Sequence, residues 1–368
     1  MEIKRSGAAL SKIVQIGEKL KMLSARSGEE YLPLNRGVNA VVNIDLREVV
    51  AQMDFNSNDI QVYPPGPGFP ALRQAINDEY FGGLSSPDNI LISAGGMNAL
   101  DLVVQAVGMG KLYLPVYYWG CYFQMLTVRG IGNAEYMAQS DLEGMIPELQ
   151  GNAVLICDPG NPLGEKYDDE RQFALIQKLD AAGITVFFDS PYRRIFYDRT
   201  DDYYQRLMQL KHVVITESFS KSVGLSGQRL GFIHTTNKAL HDELEIRLMY
   251  CTNGVNAFAQ QLILRLLTTP EGIRAAQAFK EATARDIARN IDYLKQRGLL
   301  AGEFYDASTP KGIFVVVNRT EEELLAHRIG SVSLSFFTKS RKEEAARYAR
   351  ICVSAPHEKF VAYFDRVE

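Results

Sequence analysis

The feature that most constrains this chain is a repeated alternation, in which short apolar runs are each followed by a stretch with helical spacing. Asn89-Ile-Leu-Ile-Ser93 precedes a helical pattern over 97–107, and Lys111-Leu-Tyr-Leu114 precedes another near 122–128. Ala153-Val-Leu-Ile-Cys157 precedes one over 170–182. Ile184-Thr-Val-Phe-Phe188, His212-Val-Val-Ile-Thr216 and Leu230-Gly-Phe-Ile233 continue the series of runs. Short runs of this kind suit strands covered on both faces, and their alternation with helices predicts a mostly parallel sheet. The expected fold class is therefore α/β: a large domain with a mostly parallel sheet covered by helices, plus a smaller α+β domain.

The smaller unit is read from the later chain. Ala275, Phe279, Ile287, Ile291 and Leu294 recur at helical steps over 271–297, which predicts a long amphipathic helix. Runs at 313–317 and 351–353 read as further strands. The seam is expected near 252–256, giving a large domain over 40–252 and a small one from 1–39 and 253–368. Ile13, Ile16, Leu20 and Leu23 predict an amphipathic helix that joins the small unit. Lys12, Glu18, Lys19 and Lys21 interrupt it, so it is not read as a signal peptide.

Composition excludes several classes. A chain of 368 residues buries a full core without staples. A net charge of −4 argues against a broad grip on nucleic acid. No run approaches the roughly 18 apolar residues of a membrane span. Cys121, Cys157, Cys251 and Cys352 lie far apart, which predicts reduced thiols in a cytoplasmic protein rather than zinc or disulfides. The five histidines lack a ligand spacing, so no metal site is expected. Arg193 and Arg194 are expected on a solvated or interface face.

Ligands in open α/β sheets bind outside the carboxyl ends of the strands. Those ends carry Ala94-Gly-Gly-Met97, Pro115-Val-Tyr117, Asp158-Pro-Gly-Asn-Pro-Leu-Gly164, Asp189-Ser-Pro-Tyr192 and Glu217-Ser-Phe-Ser-Lys221. Glycines, an aromatic, an amide, a carboxylate, a phenol, hydroxyls and an amine thus converge. They suit a ligand that is flat, anionic at one end and carbonyl-reactive at the other. Pyridoxal 5'-phosphate meets all three requirements. Its aldehyde takes a lysine, its ring nitrogen a carboxylate, its phosphate a helix start with hydroxyls and a cation, and its face an aromatic.

At these residues the chain resembles the class I/II pyridoxal-phosphate aminotransferases of the aspartate-aminotransferase fold. Ser218-Phe-Ser-Lys-Ser-Val-Gly-Leu-Ser-Gly-Gln-Arg-Leu-Gly231 is similar to their lysine motif. Asp158 to Gly164 resembles their Asn-Pro-x-Gly, and Asp189 to Tyr192 their Asp-x-x-Tyr. The resemblance implies that Lys221 forms the Schiff base and shuttles the proton, and that Asp189 pairs with the ring nitrogen. It implies that Tyr192 and Asn161 bond the phenolic oxygen and that Tyr117 stacks on the ring. Gly96, Met97, Ser218, Ser220 and Arg229 are then expected around the phosphate, with Tyr63 reaching the phosphate of a neighbouring subunit in a homodimer. Arg350, with Asn161, would hold the substrate carboxylate, and Gly37 would close the substrate mouth. The implied reaction moves an amino group between an L-amino acid and a 2-oxo acid.

Two alternatives stay open on the residues alone. The same fold hosts lyases and decarboxylases that break another bond at Cα. Ser218-Phe-Ser-Lys221 also fits the Ser-x-x-Lys of serine acyl enzymes, but the Lys-Thr-Gly those enzymes need is absent.

Overall fold

The computed structural model describes residues 1–367. Glu368, the end of the expected 253–368 unit, lies outside the described residues. The chain opens with helix α1 (Lys12–Ser27), which turns Ile16 and Leu20 inward and ends on Gly28 in the left-handed region at φ 71°.

The central sheet is built from β1 (Ile90–Ser93), β2 (Lys111–Pro115), β3 (Gly132–Tyr136), β4 (Ala153–Cys157), β5 (Thr185–Asp189), β6 (Val213–Ser218) and β7 (Gly231–His234). Their spatial order is β1-β7-β6-β5-β4-β2-β3. Neighbours pair in parallel except at β7, which is antiparallel to both β1 and β6. The carboxyl ends of β1, β2, β4, β5 and β6 therefore share one edge. Every residue of β1, β4 and β6 is buried, as apolar runs predict. Strand β3 had no such run: Gly132-Asn-Ala-Glu-Tyr136 is an edge strand, half exposed on its outer side, so nothing apolar marks it.

Helices cover both faces. They are α2 (Pro70–Phe81), α3 (Gly96–Ala106), α4 (Gly120–Arg129), α5 (Asp169–Ala181), α6 (Lys238–Thr252), α7 (Ala257–Thr268) and α8 (Pro270–Gln296). Helix α8 starts where the Thr269 side chain accepts from the Gly272 N–H, with Pro270 at its first position. It buries Phe279, Ile287, Ile291 and Leu294. Helix α7 packs against α2 and α8, and its Gln260 Oε1 accepts from the Phe69 N–H at 2.8 Å.

A second, antiparallel sheet joins β8 (Phe314–Val317), β9 (Val332–Ser333) and β10 (Ala349–Cys352), with β10 central. Ile16 and Leu20 of α1 pack into its core with Val316, Val332, Leu334 and Phe337. The short strand Leu32–Pro33 pairs with Ile329–Gly330 and brings the next residues across to the edge of the large sheet.

Candidate active site

Asp189 is the last residue of β5 and is 4% exposed. Its Oδ2 accepts from the Tyr122 hydroxyl at 2.5 Å and its Oδ1 from Thr216 Oγ1 at 3.1 Å. Burial lifts its pKa to about 6, against the pull of these two hydrogen bonds. Thr216 is the register partner of Asp189 on β6, so strand pairing aims the hydroxyl.

Lys221 sits in the one-turn helix Phe219–Ser222 after β6, and its Nζ donates to the Gly37 carbonyl. Among the described residues no carboxylate lies within ion-pair distance of it. Burial lowers its pKa, and the nearby Arg229 and Arg350 act in the same direction. A lysine held this way carries a larger share of free amine at neutral pH, the form that attacks a carbonyl.

The turn after β4 supplies Asn161. Its Nδ2 donates to the Tyr192 hydroxyl at 3.2 Å, and its Oδ1 accepts from Arg350 at 3.2 Å. A second guanidinium nitrogen of Arg350 donates to the Asn35 carbonyl. The guanidinium lies between the rings of Phe314 and Phe337, at 4.1 and 4.6 Å, and its Nε has no partner. Burial lowers its pKa to about 10, so it stays charged at neutral pH. An arginine 1% exposed with an unused donor awaits an acceptor such as a carboxylate.

At the other end, Gly95 adopts φ 85° and opens α3. That positive φ favours glycine, and a Cβ there would lie 2.8 Å from an Arg229 nitrogen, so the cation reaches close over the loop. Ser218 and Ser220 join them: Ser218 Oγ accepts from the Ser220 N–H at 3.2 Å, and Ser220 Oγ from Arg229 at 3.4 Å. Arg229 itself holds φ 53°, a strained conformation for a side chain of its size and one that clusters at functional sites. Free N–H groups at the start of α3, hydroxyls and a guanidinium form a cup for a phosphate.

These residues fit the cofactor that the sequence resemblance implies. The cup could take its phosphate and Asp189 a ring N–H, and the one partner of the Lys221 amine among the described residues is the Gly37 carbonyl. Gly96 and Met97 start α3 as expected, and Gly37 meets Lys221 directly. Tyr63 is 82% exposed, away from the buried cluster of this chain.

Tyr117 lines a small cavity together with Tyr122 and Asn161. It packs into the core of the small unit, edge-on to Phe304 at 5.5 Å. The chain runs two residues further before α4 begins, and Trp119 packs edge-on to Tyr122 at 5.5 Å. Trp119 is thus the aromatic beside the Asp189 pair. Tyr122, Thr216, Trp119 and Asn35 were missed because their roles arise from contacts between elements; only the register of β5 with β6 could have pointed to Thr216.

Arg193 and Arg194 correct another expectation, since they are 0% and 1% exposed. Arg193 bonds Asp158 at 3.1 Å, Asp169 at 3.0 Å and Asp201 at 2.6 Å, while Arg194 lies over the Tyr80 ring. Pairing with three carboxylates compensates the desolvation that a lone buried Arg193 guanidinium would suffer. All four cysteines are free. Among the described residues no acidic, histidine or cysteine cluster could hold a metal ion, and no helix is long and apolar enough to cross a membrane.

The family model described as "Aminotransferase class I and II" matches residues 30–361. A histidinol-phosphate aminotransferase of Christiangramia forsetii is 26% identical over 232 residues, 60% of this chain and 62% of that protein. Another, of Paenarthrobacter aurescens, is 27% identical over 251 residues, 65% of this chain and 64% of that protein. The chain thus spans less than two thirds of the length of these curated relatives. Among solved structures, the aspartate aminotransferase of Thermus thermophilus with maleate superposes with a TM-score of 0.81 at 20% identity, covering 100% of both chains. That likeness shows the fold.

Proposed function

Because the chain belongs to the class I and II aminotransferases, we propose that it uses pyridoxal 5'-phosphate to move an amino group between an L-amino acid and a 2-oxo acid. One observation supports the reading: a half-buried Lys221 just past the end of β6 and a buried Asp189 at the end of the adjacent β5 lie beside a phosphate cup and Arg350. The cofactor, when bound, supplies an aldehyde and a ring that draws electrons from Cα.

The chain's own residues do the rest. Asp189, fixed by Tyr122 and Thr216, holds a proton on the ring nitrogen. Gly96, Met97, Ser218, Ser220 and Arg229 would hold the phosphate, and Trp119, beside Tyr122, would cover the ring. Asn161 and Tyr192 bond the phenolic oxygen. Arg350 binds the α-carboxylate, which orients the substrate's Cα–H toward Lys221. The Lys221 amine would take that proton and hold it for return to the carbon that had been the cofactor's aldehyde. A large domain over 40–252, a small domain from 1–39 and 253–368, a homodimer completed by Tyr63, and a cytoplasmic location belong to the same proposal.

The test is an amino-donor panel with product analysis. Wild type should convert a donor to its 2-oxo acid while a second 2-oxo acid is aminated, and Lys221→Ala should lose this entirely. Release of ammonia without amination of the acceptor would instead favour a lyase, and undiminished turnover in Lys221→Ala would contradict the reading.

A further inference from the structure

Behind the site lies a cleft of about 660 Å³ that the reaction does not use. Its walls are apolar: Tyr80 on α2, Ile195 and Phe196 after Tyr192, Leu266 on α7, and Ile273 and Ala276 on α8. The volume falls within the range of roughly 300–1,000 Å³ typical of small-molecule sites.

Charged groups at the rim divide unequally. The acids are satisfied within the chain. Glu79 faces Arg194 at 3.5 Å, Asp198 accepts from Thr200 N and Oγ1 at 2.8 and 2.6 Å, and Glu281 accepts from Gln277 at 2.8 Å. Lys280 and Arg199, which line the same cleft, make neither a hydrogen bond nor an ion pair among the described residues. Burial lowers the Lys280 pKa and Arg194 acts in the same direction, against the opposing pull of Glu79, Glu217 and Asp198.

We propose that this cleft binds a small amphipathic anion, a carboxylate or sulfonate with an apolar body, whose head meets Lys280 and Arg199. The body lies along Tyr80, Leu266 and Ile273. Such an occupant bears on the active site through three segments. Val223 lines the cleft two residues after Lys221, Ile195 lies three after Tyr192, and α8 leads on to the small unit. The contact between them is close: a Cβ on Gly224 would lie 2.5 Å from the Phe279 ring of α8.

The probe is 8-anilinonaphthalene-1-sulfonate, titrated by fluorescence into cofactor-supplemented protein. Saturable binding at one site is expected. Lys280→Met, which keeps the apolar stem, should weaken it about tenfold. Arg199→Gln should weaken it less, and Ala284→Trp, which fills the mouth, should abolish it. The uncharged N-phenyl-1-naphthylamine should bind wild type and Lys280→Met alike. Circular dichroism and melting confirm that each variant is folded. Equal sulfonate affinity in Lys280→Met, unchanged binding in Ala284→Trp, or no saturable binding would each overturn the proposal. Since the readout is binding, its failure leaves the transamination assay untouched, and the reverse holds too.

Discussion

Asp189 is destabilising until a cation arrives. Its folded pKa of about 6 exceeds the usual carboxylate value, so between roughly pH 4 and 6 the native chain holds a proton that the unfolded chain has released. Stability from this group is therefore present at low pH and is lost as pH rises through that window, by roughly 3 kcal/mol for a shift of about two units. Asp189→Asn in the cofactor-free protein should melt above wild type at pH 8, with the gap closing toward pH 4. The same variant should lose more than about 100-fold in turnover, because an amide cannot hold the ring proton. A gap that ignores pH, or wild-type turnover, would contradict the assignment. Glu165 makes the same argument outside the chemistry. Its side chain has no hydrogen bond at Oε2, and burial pushes its pKa to about 8. The melting advantage of Glu165→Gln over wild type should widen from pH 5 to pH 8 and then stay constant; a constant difference across the whole range would contradict burial as the cause. At this scale Lys221, Asp189, Asn161 and Tyr192 were legible because each follows a buried strand within a few residues. Tyr122, on α4, was not, because what matters is the strand end it faces.

Elements carry these residues into register. The turn after Asn161 ends at Gly164, with φ 69°, whose carbonyl accepts from the Lys311 and Gly312 N–H groups at 2.9 and 2.8 Å. A Cβ there would lie 1.8 Å from the Phe314 carbonyl oxygen, so backbone would have to move. This staple ties the Asn161 turn to β8, which pairs with β10 and hence with Arg350. Gly164→Ala should lower stability by at least about 2 kcal/mol in denaturant unfolding, and an unchanged midpoint would show that the staple is slack. Strands β1, β4 and β6 were readable as wholly buried runs. Strand β3 was not, since an edge strand with Asn133 and Glu135 on it lacks the apolar signal. Helices α2, α6 and α7 carry none of the strand-end chemistry on which the reading rested.

The whole molecule sets one edge of a large sheet against a small antiparallel unit, with Gly37 and Asn35 crossing between them to meet Lys221 and Arg350. The architecture could be read from alternation alone. The partners in the crossing could not, because they lie 184 residues apart for Gly37 and Lys221 and 315 apart for Asn35 and Arg350. Tyr63 belongs to this scale: at 82% exposure it is free to serve a second copy. In solution the protein should sediment at twice the chain mass. Mixing Tyr63→Phe with Lys221→Ala chains should restore a fraction of the activity through hybrids with one unaltered site. A monomer, or mixtures no better than either parent, would contradict a shared site.

The most direct test of the central claim is chemical. Protein supplied with pyridoxal 5'-phosphate is reduced with borohydride, digested, and mapped by mass spectrometry. The account predicts a single phosphopyridoxyl group, on Lys221. A group fixed on a different lysine, or none on the chain, would contradict it.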